Sequence, residues 1–397
     1  MRKIILSVAV AAMALSTTAS ALEDIKVSGE AKLWYETDNA GLTTATHTGD
    51  LFNKKDASGE VVFKLGMTGK QGNVGFGTTV YQSSSMGFNG EAIVGNRTNT
   101  TDGDMFVGEA YVTAPMGSDT TLKFGKQELN TPYLFTEKWN AIPNSFNAAV
   151  VTNKSVKDLT LLAMYIGQDN ANTFKVDGEV NQDMFGGAYV AGALYKNASF
   201  DVNAWYTRIS DVAIPTFDTI NAFWLDAGTK VADINLRAYA SLVSADAHAA
   251  EDVNAFALSA GTKVSNFDLF AAASTVSDID AGHAGHGPSN FSTAGKKSSL
   301  PTEGVYTDGV YVAQPDSVAV KAKVSTKVGS TGVALQAVNN TNDTTAIKET
   351  TEVDLFLTDK FGDFSTTAIL MHRSFNNDAE DDKAGGVYAR FIVALNF

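Results

Sequence analysis

Apolar and polar side chains alternate along most of this chain with a period of two. In "IKVSGEAKLWYE", Ile25, Val27, Ala31, Leu33 and Tyr35 oppose Lys26, Ser28, Glu30, Lys32 and Trp34, the spacing of a strand with one apolar face. "EVVFKLGM" repeats the pattern with Val61, Phe63, Leu65 and Met67. Further runs lie near 72–84, 103–114, 119–127, 145–153, 158–167, 183–195, 198–209, 218–230, 233–244, 252–264, 267–277, 317–328, 331–340, 350–360, 363–374 and 385–397, about eighteen in all, with sixteen as the alternative. The last run, "VYARFIVALNF", keeps Val387, Ala389, Phe391, Val393, Leu395 and Phe397 on one parity up to the final residue. Chain ends ordinarily fray, so a terminal aromatic on the apolar parity predicts an anchored end.

The links alternate in length. "GKQG", "PMGSD", "KNAS", "VADI", "VSNF", "GSTG" and "KFGD" are short and carry turn residues. Between them come long polar links at 37–57, 85–102, 128–144 and about 278–316. Tight turns on one rim and long loops on the other are the layout of an outer-membrane barrel with both termini on the periplasmic side. A sandwich also alternates, but a meander of this length exceeds one sandwich core, and an open sheet would leave reactive edges. In hydrocarbon each unpaired backbone group costs several kcal/mol. The chain is therefore predicted to be all-β, a transmembrane antiparallel β-barrel whose last strand pairs with its first. Tyr35, Tyr165, Tyr206 and Phe364, near strand ends, suit the interfacial aromatic girdles.

Residues 1–21, "MRKIILSVAVAAMALSTTASA", read as a secretory signal peptide, with Arg2 and Lys3 before a short apolar run and Ala19 and Ala21 at its end. The barrel domain is then 22–397. Removing that segment takes the formal charge from −14 to −16, which argues against nucleic acid as a partner and for a modest cation preference in any pore. There is no cysteine, so neither disulfides nor thiolate metal sites arise.

Residues 128–144, "ELNTPYLFTEKWNAIPN", are too apolar for an exposed loop. An eighteen-stranded barrel is too wide for wall side chains to fill, so this loop is expected to fold inward as a pore constriction. Tyr133, Phe135 and Trp139 would tie it to the wall, with Glu137 and Lys138 near the narrowest point. The alternative is a compact external cap. Strand parity turns Lys26, Lys32, Lys64, Lys123, Arg237, Lys321, Lys323 and Arg390 toward the lumen, together with Glu30, Glu109, Asp201, Asp268, Glu352 and Asp354.

"KFGKQELNTPYLF" followed by "IPNSFNAAVVTNKSVKDLTLLAMYIG" resembles the constriction-loop region of the Campylobacter-type major outer-membrane porins and, more distantly, the substrate-selective porins of pseudomonads. The resemblance implies eighteen strands, a homotrimer in a Gram-negative outer membrane, and a third extracellular loop held inside the pore. By the same resemblance Lys126, Gln127, Asn130, Thr131 and Pro132 begin the loop, and Pro143 and Phe146 end it. It also implies that Phe397 is the signal read by the barrel insertion machinery. The pseudomonad relatives carry a ladder of arginines, whereas this chain has six, one of them in the signal peptide. That departure favours a general diffusion pore over a substrate-specific channel.

Other chemistry is thin. His283 and His286 in "GHAGHG" lack a cysteine or a sequence-near carboxylate closer than Asp280, so no metal site, cofactor or enzyme activity is expected. Asp378, Glu380, Asp381 and Asp382 read as a solvated loop face; a second reading is a divalent-cation site bridging lipopolysaccharide. The competing function is a barrel-anchored adhesin or receptor using the longest extracellular loop, about 278–316.

Overall fold

The computed structural model describes residues 22–39, 49–86, 105–169, 186–211, 218–246, 250–293, 297–345, 347–377 and 385–397. Residues 1–21, read as a signal peptide, the acidic run at 378–382 and most of the link 85–102 lie outside these residues.

Eighteen strands form one sheet. They are β1 (Glu23–Asp38), β2 (Ala57–Gln71), β3 (Val74–Ser85), β4 (Met105–Pro115), β5 (Thr120–Gln127), β6 (Phe146–Asn153), β7 (Leu159–Asp169), β8 (Gly187–Lys196) and β9 (Phe200–Ser210), followed by β10 (Thr219–Val231), β11 (Ile234–Asp246), β12 (Val253–Val264), β13 (Phe267–Val276), β14 (Ser317–Val328), β15 (Thr331–Asn342), β16 (Ile347–Phe361), β17 (Phe364–Asn377) and β18 (Gly385–Asn396). Each pairs antiparallel with its neighbours in sequence, and β1 pairs with both β2 and β18. The register sets Leu33 against Val393 and Tyr35 against Phe391. The sheet is closed, and the sixteen-strand alternative falls away.

Five short links are two-residue turns that begin in the left-handed region, at Gly72, Ala232, Ser265, Gly329 and Gly362. Glycine adopts this conformation without penalty, whereas Ala232 and Ser265 bear about 1 kcal/mol or more each. The turn geometry matches strand twist, so closure outweighs the local cost.

The two faces separate as the alternation predicts. Val27, Phe63, Leu65, Phe256, Leu258 and Val320 are exposed on the outer face. Tyr165 packs on Tyr189 and Tyr206 on Phe223 there, with centroids 5.2 and 4.8 Å apart. The opposite parity carries Trp34, Val62, Tyr81 and Trp224, all buried under inward-folded segments. No helix among the described residues is long and apolar enough to cross a membrane; the crossing is made by strands.

Candidate functional site: a narrowed lumen

The β5–β6 loop begins with a small closed turn. Asn130 bridges Phe135, and Thr131 Oγ1 donates to the Leu134 carbonyl at 2.7 Å. This projects Tyr133 onto the inner face of β10 and β11. Its hydroxyl lies 2.6 Å from the Phe223 carbonyl and 2.8 Å from Ser241 Oγ, and its ring meets Trp224 edge-on. Burial raises the Tyr133 phenol well above its ordinary range, so it stays neutral. At the other end Ala141 and Ile142 pack against Trp34, Val62 and Tyr81 on β1, β2 and β3, and Lys32 Nζ donates to the Ala141 carbonyl at 3.5 Å. The loop therefore spans the lumen from β1–β3 to β10–β11.

The other four residues expected at the constriction fall in different settings. Trp139 is 49% exposed and borders open space, with the Arg390 guanidinium of β18 6.0 Å from its ring. Glu137 is buried, its carboxylate accepting from Asn290 Nδ2 at 3.2 Å and Asn140 Nδ2 at 3.4 Å. Lys138 reaches back to Glu128 at 3.0 Å. Phe135 serves through its backbone, accepting from Asn290 and Asn144 side chains. Strand parity says nothing about a loop, which is why these orientations were not legible beforehand.

The stretch between β13 and β14, read from the sequence as the longest extracellular loop, also turns inward. Phe291 N donates to the Tyr133 carbonyl at 2.9 Å, Ser299 Oγ to the Pro132 carbonyl at 2.9 Å, and Asn144 Nδ2 to Ser292 Oγ at 3.2 Å. Further along, the Glu352 carboxylate on β16 accepts from the amides of Val305, Tyr306 and Thr307 at 2.6–3.2 Å. Arg373 Nη1 donates to the Tyr306 carbonyl, and Arg390 Nη2 to the Tyr306 hydroxyl. A four-residue helix, Gly309–Val312, capped by Asp308, returns the chain to β14. Its polar content has a cause: the segment crosses a wall of charged side chains, and each buried backbone group there needs a partner.

A cluster of charge is buried in this segment. Lys297 Nζ lies 3.2 Å from Glu303 and 3.7 Å from Asp308. Burial pushes Asp308 up to about 7 against the pull of Lys297, and raises Glu303 likewise. Lys297 loses to burial but gains more from the two carboxylates, so it is raised.

Between the two segments and strands β14–β16 lies a cavity of about 1060 Å³. It runs from Trp139 and Leu300 down to Asn266 and Lys327 beside the short turns. Arg390 stands at its wall, its guanidinium 4.9 Å from the Trp34 ring, 5.4 Å from Tyr306 and 6.0 Å from Trp139, and 2.5 Å from Glu36. Seven lining side chains are basic (Lys138, Lys263, Lys297, Lys321, Lys323, Lys327 and Arg390), and three are acidic (Glu137, Asp268 and Glu303). Among the described residues Lys321, Lys323 and Lys327 form no ion pair with a carboxylate; Lys321 donates to the Glu303 carbonyl at 2.5 Å and Lys323 lies over Phe356 at 5.2 Å.

The remaining wall charges lie on the inner parity. Lys26 is near the short-turn rim, and Glu30 pairs with Lys32 at 2.9 Å. Lys64 stands over Tyr81 and Lys123 over Tyr111. Glu109 accepts from Thr79 and Asp354 from Gln336, while Arg237 binds both Asp201 and Asp226. Sequence reading missed Trp34, Glu36, Asn290, Tyr306 and Arg373 as parts of the site. Parity did place Trp34 and Glu36 inside; nothing local marked "EGVYTDG" (303–309) as a partner for Glu352.

A closed, membrane-spanning barrel with a continuous space beside an inward loop is a pore protein of the outer membrane. Residues 22–287 match the family described as outer membrane porin, OprD family, and the chain belongs to it. No curated protein matches the sequence. Among solved structures it is similar to Pseudomonas aeruginosa OccK8 (OprE), at 16% identity and TM-score 0.69, covering 94% of this chain and 98% of that one. P. aeruginosa OpdK with vanillate gives 13% and 0.69 over the same shares, and Acinetobacter baumannii OccAB2 gives 14% and 0.66, again over 94% and 98%. At these identities the likeness speaks for the fold.

Proposed function

We propose that this porin passes small hydrophilic solutes by passive diffusion, through the cavity between the β5–β6 loop and β14–β16. The observation that carries the reading is the cavity itself, which extends from the inward loops to the short-turn rim inside a closed wall. Pore resistance and selectivity are set by the narrowest section and the groups lining it. The reading is of a channel and not an enzyme, supported by the family. It makes the inward segments parts of the pore, which weighs against an adhesin built on 278–316.

The charge preference is proposed from the lining rather than from net charge. The chain is acidic, which suggested cations, yet the cavity lining carries more basic than acidic groups, and three lysines there form no ion pair among the described residues. Charges at a constriction act at close range in low dielectric, whereas those at the mouth are screened within roughly 10 Å at 0.1 M salt. The pore therefore favours small anions, carboxylates among them; OpdK, solved with vanillate, offers a parallel. Reversal potentials in asymmetric salt test this. The anion sign is expected, and Lys321→Gln with Lys323→Gln should move it toward cations; a cation-selective pore unchanged by that pair would show that the mouth governs.

Kinship with the Campylobacter-type porins, and with it a homotrimer, rests on the resemblance over 124–167. Sedimentation of the detergent complex as a lone subunit would remove the trimer. Lipid, lipopolysaccharide and the insertion machinery, through Phe397, are the partners this reading requires.

A further inference from the structure

We infer that Glu251, Asp280 and His283 bind a first-row divalent metal ion, Zn²⁺ or a close analogue, at the extracellular root of the β13–β14 segment. The fold brings these residues together from two links. Ala250 bridges Ala284 in parallel, and Glu251 N donates to the Ala284 carbonyl at 2.9 Å. That pairing sets the carboxylate of the β11–β12 link against the imidazole of the next long link. His283 Nδ1 lies 3.0 Å from Glu251 Oε1, and Asp280 N donates to Glu251 Oε2 at 3.1 Å. Gly282, at φ +88°, closes a turn in which His283 N donates to the Asp280 carbonyl at 3.0 Å, so Asp280 doubles back beside His283.

The donor set suits such an ion. One ligand atom from each residue lies within 4.8 Å of the others. Two donors on one zinc ion, each bonded at about 2.0–2.2 Å, lie up to about 4 Å apart, so the widest gap closes by roughly 1 Å, within reach of side-chain rotation. Imidazole favours zinc, nickel and copper over calcium and magnesium, which separates this site from one built of carboxylates alone. Three protein ligands leave a position for water. The charge balance points the same way: among the described residues no Lys or Arg pairs with Glu251 or Asp280, and the His283 imidazole lies directly against the Glu251 carboxylate.

The histidine pair seen in the sequence is split. His286 turns inward, its ring 4.5 Å from Phe291 and its Nδ1 2.9 Å from the Gly287 carbonyl. Glu251, thirty-two residues before His283, takes the place that His286 had in the linear reading. The residues that follow, Asn290 and Phe291, hold the β5–β6 loop. A metal at Glu251 and His283 therefore fixes the root of the structure that narrows the pore.

The test is calorimetric titration of Zn²⁺ into the refolded full chain in detergent, with millimolar Mg²⁺ present to occupy sites of carboxylate alone. One ion per chain is expected. His283→Ala and Glu251→Gln should each weaken binding at least tenfold, and His286→Ala should not; a gel band that moves only after boiling, as expected of a closed strand ladder, checks that each variant is folded. Co²⁺ should give visible absorption that His283→Ala abolishes. Absence of saturable binding, or binding that survives both substitutions, would overturn the site and leave Glu251 and His283 as a side-chain contact between two links. Neither readout depends on conduction, so the result stands apart from the pore reading.

Discussion

Gly29 and Phe397 exchange both backbone hydrogen bonds, Gly29 N to the Phe397 carbonyl at 2.7 Å and Phe397 N to the Gly29 carbonyl at 3.0 Å, while the phenyl ring fills the place where a side chain at residue 29 would stand. The last residue is thus anchored by the first strand, and its aromatic ring lies over the glycine, an arrangement known to pin strand register. Closure here is a matter of shape as well as of hydrogen bonds.

Gly29→Val should therefore impair closure more than its strand propensity suggests. The branched side chain must displace the Phe397 ring, which is 69% exposed and can swing aside, so what is lost is its cover over the first strand rather than core packing. The expected result is a lower temperature for the gel-mobility shift, with little further loss on adding Phe397→Ala in the same chain. A double variant well below Gly29→Val alone would show that the ring still covers the first strand.

Removing residues 133–138 should raise single-channel conductance, because the segment between Tyr133 and Lys138 lies across the lumen. Tyr133→Phe should act more mildly. It deletes the hydroxyl that meets Phe223 and Ser241, leaving buried partners unsatisfied at about 1–3 kcal/mol, and is expected to add conductance fluctuations with little change of mean. A deletion that inserts normally and conducts as before would point to another constriction.

Glu352→Gln should loosen the segment at 305–307. The carboxylate accepts from three consecutive amides, and an amide side chain must turn one donor toward them. Hydrogen exchange of these amides is expected to rise by about tenfold or more, in line with 1.5–3 kcal/mol for a hydrogen bond to a charged group. Unchanged protection there would assign the anchoring to Arg373 and Arg390 instead.

Asp308 gives the same segment a pH dependence. Its folded pKa of about 7 lies above the ordinary 3.8, so the folded state binds the extra proton between these values. Stability falls as pH rises through that window: anchoring is strongest below about pH 4 and weakest above about pH 7. Lys297 titrates far higher and does not contribute there, while Glu303 acts in the same direction. Exchange protection over 305–313, corrected for intrinsic rates, should therefore decline from pH 5 to pH 8. Asp308→Asn, which still caps the short helix, should at least halve that decline; an equal slope would assign it elsewhere.

Much of the fold was determined by the sequence alone. Alternation with period two is a local property, set by the pleat, and it marked eighteen strands, the lipid-facing parity and the anchored C-terminus because each is decided by a residue's own strand. It also placed Lys321, Lys323, Glu352 and Arg390 inside. What it left open was every relationship between distant segments. That Tyr133 reaches Phe223, that Glu352 receives the amides of 305–307, that Trp139 borders open space and that Glu251 stands by His283 depend on which loop lands on which wall. Such docking is chosen by the burial and pairing of groups from separate parts of the chain, which no local period encodes. The same holds for charge: composition fixed its total, and only the closed barrel distributed it between mouth and lumen.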